Sequence, residues 1–273
     1  MLSETQVEKY LCRIGLVDGV PVSATGLAVL HRQHLLTVPF DNLDVLAHLP
    51  EIKTLEGLFE KIVKRRRGGI CYELNALFAE LLRALGFTVR LAAARPSARA
   101  GVPSCGEDPD FAHLILLVHV DQDLWLADVG FGRGGFFEPL RFTVGLSQTD
   151  QRGTYRIVPS TAEGVKGCYD LLFTPRFAPK DVSTAEQERV IYRFDPTARD
   201  LSEFSRRWHW TVTSSDSLFL SGSLVALDTP AGRISLSENH LRITEYGRQT
   251  ARAIPDTDGF HALLAEHFGI IAP

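Results

Sequence analysis

Apolar residues in the first third of the chain recur at intervals of three and four. After Ser3, one helical face carries Val7, Tyr10, Leu11 and Ile14; after Ser23, Leu27, Leu30, His34 and Leu35; after Thr54, Leu55, Leu58, Phe59 and Ile62. The spacing predicts helices over 3–14, 23–36 and 54–65, each starting at a hydroxyl side chain able to cap it. A fourth helix begins with Cys71 in its first turn. It carries Leu74, Leu77, Phe78, Leu81, Leu82 and Leu85 and stops at Gly86, where a C-terminal cap belongs.

At residue 87 the pattern changes to strands, predicted over 87–94, 111–120, 124–131, 153–158, 168–173 and 190–194. Residues 95–110, rich in Pro, Gly and Ser, read as a long loop. The last third is mixed: a short helix over 201–207, strands over 208–213, 222–228, 232–236 and 241–246, a Glu238-Asn239 turn, and a closing helix over 257–268 with Phe260, Leu263, Leu264 and Phe268 inward. Helices first, antiparallel sheet next and a mixed end predict an α+β architecture.

With 273 residues, 45% of them hydrophobic, the chain has ample core for one large domain or two to three small ones. A net charge of −4 leaves no electrostatic footprint for nucleic acid. The run Lys64-Arg65-Arg66-Arg67 is the local exception; it reads as a solvated helix end, or as cations near an anionic substrate. Cys12, Cys71, Cys105 and Cys168 are scattered and suggest neither a zinc site nor a disulfide framework. Without a signal pattern or a membrane-length apolar run, a soluble cytoplasmic protein is expected.

Candidate chemistry centres on Arg67-Gly68-Gly69-Ile70-Cys71-Tyr72-Glu73-Leu74-Asn75. A thiol at a helix N-terminus faces unpaired N–H groups and the positive end of the dipole, and both favour the nucleophilic thiolate well below the free-thiol pKa of roughly 8.5. A merely buried cysteine would tolerate the same place. A nucleophile needs a base, and the base an orienter. His113 opens an apolar strand, and Asp128 interrupts another, where a carboxylate is costly unless paired. If Asp121-Gln122 is a two-residue turn, Val120 pairs with Asp123 and Asp128 falls opposite Ile115, on the face of His113 and about 7–8 Å away along the diagonal. A three-residue turn would reverse that parity. His119 shares the parity of His113 but sits beside the turn, where exposure is expected. His31, His34, His48, His209, His240, His261 and His267 are expected exposed on helices or loops. In such a triad Cys71 attacks, His113 holds the thiolate as its imidazolium, Asp128 fixes the imidazole, and N–H groups of the Cys71 helix meet an oxyanion. Gly130-Phe131-Gly132-Arg133-Gly134-Gly135 comes directly after; it lacks the ending of a phosphate-binding Gly-Lys-Ser/Thr loop, and no helix pattern succeeds it as in a dinucleotide fingerprint.

With Cys, His and Asp in that order, the sequence resembles the arylamine N-acetyltransferases. Tyr10-Leu11-Cys12-Arg13-Ile14-Gly15 looks like the family's opening helix. Val38-Pro39-Phe40-Asp41-Asn42-Leu43 looks like its Val-Pro-Phe-Glu-Asn-Leu signature, with Asp for Glu. The Cys71 segment matches its Arg-Gly-Gly-x-Cys-x-Glu-x-Asn motif, His113-Leu114-Ile115-Leu116 its base strand, and Asp128-Val129-Gly130-Phe131-Gly132 its Asp-Val-Gly-Phe-Gly motif. Asp216-Ser217-Leu218-Phe219 and Phe268-Gly269-Ile270 match more loosely.

The resemblance implies a helical bundle over 1–86, a β-barrel over 87–200 and an α/β lid over 201–273. It implies a ping-pong reaction in which Cys71 takes an acetyl group from acetyl-CoA, a cosubstrate rather than a resident cofactor, and passes it to an arylamine or arylhydrazine. Cys71, His113 and Asp128 would be catalytic. Phe40, Phe131 and Phe219 would line the acceptor pocket, and Gly130, Gly132 and Arg133 would lie near the CoA entrance. No nucleic-acid or membrane partner is implied. The chain departs from the family at Ala112, where many members carry a hydroxyl, at Arg133 inside the glycine run, and at Arg206-Arg207-Trp208-His209-Trp210. The same triad order serves an amide synthase acting on a carrier-bound acyl chain and a hydrolase of transglutaminase type; the C-terminal third favours a small acceptor over the synthase. A non-catalytic binding protein is the remaining reading, and activity that survives Cys71→Ala would point to it.

Overall fold

In a computed structural model of the chain, residues 1–17, 19–48, 54–97, 111–162, 167–177 and 188–271 are described. Helix α1 (Glu4–Arg13) starts where Ser3 accepts from Gln6 N, and α2 (Ala24–Thr37) where Ser23 accepts from Gly26 N. The chain then forms a two-residue strand β1 (Phe40–Asp41) and a single turn α3 (Leu43–Leu46). Helix α4 (Leu55–Phe59) is capped by Thr54, as its sequence predicts, but widens into a π-helix over Glu60–Lys64. Helix α5 (Cys71–Ala84) carries the nucleophile candidate, and Gly86 lies just beyond it with φ +101°.

A run of strands comes next: β2 (Thr88–Pro96), β3 (His113–Val120), β4 (Asp123–Ala127), β5 (Leu140–Arg141), β6 (Gln148–Thr149), β7 (Gly153–Pro159), β8 (Tyr169–Pro175) and β9 (Arg189–Arg199). They form one antiparallel sheet in the order β5-β4-β3-β2-β9-β8-β7-β6. The sheet curls into a nearly closed barrel. Its edges meet where Arg141 N donates to Gln148 Oε1 at 2.7 Å and Gln148 Nε2 donates to Arg141 O at 3.0 Å. A side-chain amide there replaces a ladder pair and covers an otherwise open edge. Most of the predicted loop, residues 98–110 including Cys105, lies outside the described residues.

β2 and β3 are buried on both faces. Leu114, Leu116, Val118 and Val120 join Leu74, Leu77 and Phe78 of α5 in one cluster, whereas Ile115 and Leu117 join Leu126, Tyr155 and Tyr192 inside the barrel. His113 has the parity of Ile115, so it faces the barrel interior.

After a 3₁₀ turn over Leu201–Phe204 comes α6 (Ser205–Thr213), where sequence alternation over 208–213 predicts a strand. The helix wins because Trp208, Thr211 and Val212 bury at helical spacing, with Trp208 and Phe204 set edge-on against Tyr72 of α5 at 5.5 and 6.0 Å. Strands β10 (Val225–Thr229), β11 (Gly232–Ser237), β12 (His240–Glu245) and β13 (Arg248–Ala253) form a second antiparallel sheet in the order β1-β10-β11-β12-β13. Helix α7 (Thr257–Phe268) covers it through Leu263, Leu264 and Phe268. β13 has no counterpart in the sequence reading: all its side chains are exposed, and only its backbone pairs. No helix among the described residues is long and apolar enough to cross a membrane.

Candidate active site

Cys71 is presented by a turn wedged against β1. Gly68 N donates to Asp41 Oδ2 at 2.9 Å, and Asp41 N donates to Gly69 O at 3.0 Å. A Cβ on Gly68 would lie 2.0 Å from Pro39 O, so only glycine allows this approach. Glu73 Oε2 accepts from Ile70 N at 3.1 Å and ties off the start of α5. The Glu73 carboxylate also takes Lys61 Nζ, which reaches Asp44 at 3.0 Å; Arg67 Nη2 meets Asp44 at 3.1 Å. Arg67 therefore turns into a partly buried ion cluster, while Lys64 of the same basic run stays in solvent and pairs with Glu60. Burial pushes the Glu73 and Asp41 carboxyls up against the pull of Lys61; burial lowers the Lys61 ammonium, but the three surrounding carboxylates more than offset it.

His113 and Asp128 come together as the hairpin register predicts. Asp121 and Gln122 form a two-residue turn, with φ +52° and +65°, and Val120 pairs with Asp123. The ladder ends at Leu116–Ala127, one residue before Asp128. His113 Nε2 lies 2.7 Å from Asp128 Oδ2, and both residues are buried. The other imidazole nitrogen, Nδ1, is the one left for the Cys71 thiol, which lines the same cavity and acts on the ring electrostatically. Burial pulls the His113 pKa down, but the Asp128 carboxylate and Cys71 outweigh it and push it up to about 10. An imidazolium beside a thiol at a helix N-terminus is the environment of an activated cysteine. Asp128 Oδ1 accepts from Asn75 Nδ2 at 2.9 Å and from Gly130 N at 3.0 Å, and Asn75 Oδ1 accepts from Val129 N at 2.9 Å.

Phe40, Cys71, His113, Gly130, Phe131, Gly132, Arg133 and Phe219 all line one cavity of about 600 Å³. Of the triad, acceptor and CoA residues named from sequence, Asp128 alone stays behind the cavity wall, and none of Lys64, Arg65, Arg66 and Arg67 lines it. The Phe40 and Phe219 rings are 6.2 Å apart, and Phe131 stands edge-on to His113 at 5.2 Å. Ala112 lines the same cavity, as do Arg207 and Trp210, whose guanidinium and ring stack at 4.0 Å. The stretch that departs from the family pattern thus forms part of the pocket wall. Arg133 reaches back across the cavity to Ser97 O.

Three histidines depart from expectation, His267 by being half-buried and two more completely. His31 and His34 are fully buried, not exposed. They lie in phase with Leu27 and Leu30 on the inward stripe of α2, and that phase outweighs their polarity. His31 contacts the Asp128 backbone, while His34 packs between Tyr10 and Phe78. His119 is exposed beside the turn and meets Arg90. His48, His209, His240 and His261 are exposed, and His267 is half-buried. Asn42 is a further site residue given no role from sequence: its Nδ2 donates to Phe219 O and Gly222 O, and its Oδ1 accepts from Leu224 N.

Residues 25–272 match the model of a family described as N-acetyltransferase. An arylamine N-acetyltransferase of Escherichia coli is 32% identical over 96% of this chain and 87% of its own length. The proansamycin X synthase of Amycolatopsis mediterranei is 28% identical, covering 95% of both chains. Among solved structures, Mycobacterium marinum arylamine N-acetyltransferase in complex with CoA superposes with a TM-score of 0.82 at 28% identity, over 97% of this chain and 92% of that one.

Proposed function

The chain belongs to the arylamine N-acetyltransferase family, and we propose that Cys71, His113 and Asp128 are its catalytic groups. The enzyme transfers acetyl groups from acetyl-CoA to arylamines and arylhydrazines through an acetyl-cysteine intermediate. The observation that carries the residue assignment is the 2.7 Å contact of His113 Nε2 with the buried Asp128 carboxylate, in a cavity that His113 shares with Cys71.

In the first half-reaction the Cys71 thiolate attacks the thioester carbonyl. N–H groups of the first turn of α5 meet the oxyanion, and the departing CoA sulfur takes the proton from His113 Nδ1. In the second, the amine attacks acetyl-Cys71 and gives its proton to His113, and the thiolate leaves. Asp128 holds the imidazole through Nε2 in both half-reactions and steadies the imidazolium whenever it is present. Phe40, Phe131 and Phe219 would stack on the acceptor ring, and Gly130, Gly132 and Arg133 would face CoA. A bundle over 1–86, a barrel over 87–200 and a lid over 201–273 remain our division of the chain, and the cytoplasm our proposed location.

The synthase among the relatives covers nearly as much of the chain as the acetyltransferase does, 95% against 96%, so coverage of the C-terminal third does not separate the two readings; the aromatic walls of the cavity favour a flat, small acceptor. The test measures free CoA release from acetyl-CoA, with and without an arylamine, in wild type and Cys71→Ala. Amine-dependent release lost in the variant, with one acetyl trapped on Cys71 when amine is omitted, supports the proposal. Release without an amine points to a hydrolase, and no release with any small amine points to the carrier-linked synthase.

A further inference from the structure

His31 is buried in the middle of α2, and the acetyl-transfer steps give it no part. Its Nε2 lies 3.1 Å from Asp128 N and 3.2 Å from Asp128 O, and its Nδ1 lies 3.3 Å from Phe137 O. Two neutral tautomers compete. A proton on Nε2 would serve Asp128 O alone, leaving Asp128 N–H unpaired and Nδ1 facing a carbonyl. A proton on Nδ1 is donated to Phe137 O, while Nε2 accepts from Asp128 N–H, so two buried main-chain groups are satisfied rather than one.

His31 thus holds both ends of the segment 128–137, whose Gly130, Phe131, Gly132 and Arg133 line the cavity. It acts where the sheet has stopped: β4 leaves β3 at Ala127, so the Asp128 amide finds its partner on α2 instead. The ring is itself fixed, stacked on Phe136 at 5.5 Å and 9° and edge-on to Phe78 at 6.4 Å. Its helix is tied to the same hairpin a second time, where Asp121 Oδ2 accepts from Ala24 N at 2.6 Å.

We propose that His31 is a positioning residue that aims the Asp128 carboxylate at His113 by gripping the Asp128 main chain from behind. This rests on the assignment of Cys71, His113 and Asp128 as the catalytic groups. Burial holds the His31 pKa down to about 4; the Asp128 charge and the two backbone contacts pull upward, and Arg152 adds to the lowering. His34, one turn along α2, is likewise held far below its usual range by burial, Arg13 and His31. The ring therefore stays neutral, with its acceptor nitrogen turned to Asp128, across the working pH range.

The test compares wild type with His31→Phe, which keeps an aromatic ring on Phe136 but removes both nitrogens, and with His31→Gln, whose amide can donate and accept at similar reach. Two readouts do not require acyl transfer: the NMR titration of His113, and alkylation of Cys71 by iodoacetamide between about pH 5 and pH 9. In His31→Phe the His113 titration moves down by about one unit or more, and alkylation at low pH falls about tenfold relative to high pH. His31→Gln recovers most of both. A lower melting temperature with both profiles unchanged would mean a packing role only and overturns the proposal. If His31→Phe does not fold, ¹⁵N spectra of wild-type His31 decide: a proton on Nδ1 is expected, and a proton on Nε2 overturns it. Failure of the wild type to form acetyl-Cys71 would instead count against the catalytic assignment.

Discussion

Lys61 Nζ lies 2.8 and 2.9 Å from the two carboxylate oxygens of Glu73, and both side chains are buried beneath the turn that presents Cys71. Asp44 and Asp41 complete the surroundings of the same ammonium. Removing one partner from a buried ion cluster leaves its counterions uncompensated and costs about 3–5 kcal/mol. Lys61→Met is expected to lose that much stability by urea unfolding, and Lys61→Met with Glu73→Gln to lose less than the single change. A loss below about 1 kcal/mol for Lys61→Met, the size of an exposed pair, would mean the cluster is solvated in solution.

Gly130 packs directly on Cys71, the proposed nucleophile. A Cβ there would lie 2.7 Å from Cys71 Cα and 2.8 Å from Asn75 Nδ2, the amide that also holds Asp128 Oδ1. Gly130→Ala therefore forces Cys71 and Asp128 apart by a fraction of an ångström. A displacement of that order costs about 100-fold in rate where geometry is demanding. The expected result is a fall of that size in kcat/KM for acetyl transfer, together with a lowered melting temperature, because a Cβ against main chain is accommodated only at a cost of about 1–3 kcal/mol. Activity within about twofold of wild type would show that the triad tolerates the shift.

Asn42 anchors the 219–224 segment of the cavity wall proposed to take the acceptor. Its amide donates to Phe219 O at 2.8 Å and Gly222 O at 2.9 Å, and accepts from Leu224 N at 2.7 Å. Asn42→Asp keeps the acceptor for Leu224 but sets a carboxylate against two carbonyl oxygens. Loss of buried hydrogen bonds of this kind is worth about 1–3 kcal/mol. The arylamine KM in steady-state kinetics is expected to rise about tenfold or more as Phe219 leaves Phe40. A change confined to kcat would place the effect at the triad rather than at the acceptor wall.

What was legible in the sequence was local. The Asp121-Gln122 turn and strict alternation sufficed to put His113 and Asp128 on one face, because a hairpin register depends on adjacent residues alone. The signal for His31 was also present: Leu27, Leu30, His31 and His34 fall at i, i+3, i+4, i+7, so phase marked both rings as inward although residue type suggested solvent. Lys61 carried no such mark. The π-turn over Glu60–Lys64 widens the helix, so Lys61 and Val63 are buried on either side of Ile62, the one residue of that turn the α-helical spacing placed inward. The 208–213 segment alternates like a strand, and only its contacts with Tyr72, more than a hundred residues away, make it a helix. β13, polar along its whole length, is held by backbone pairing that no side-chain pattern reports.

The two buried imidazoles nearest Asp128 move stability with pH in opposite directions. His113 has its pKa raised to about 10, so its contribution is complete below the unfolded value of 6.5 and is lost as pH rises through about 10. His31 has its pKa lowered from 6.5 to about 4. As pH falls below 6.5 the unfolded chain takes up a proton that folded His31 refuses, so stability drops from there to about pH 4 and then levels. A displacement of that size in a fully buried ring corresponds to a loss on the order of 3 kcal/mol. Asp41 and Glu73, raised by burial, push the other way over part of the same window. They are common to wild type and His31→Gln and cancel in the difference between the two. Urea midpoints at a series of pH values for both proteins should therefore give a difference curve that is flat above about pH 7 and slopes between about pH 6.5 and pH 4, with wild type losing more on the acid side. A difference curve flat throughout would mean that His31 is protonated or solvated in the folded state, and that the Asp128 amide is held by something else.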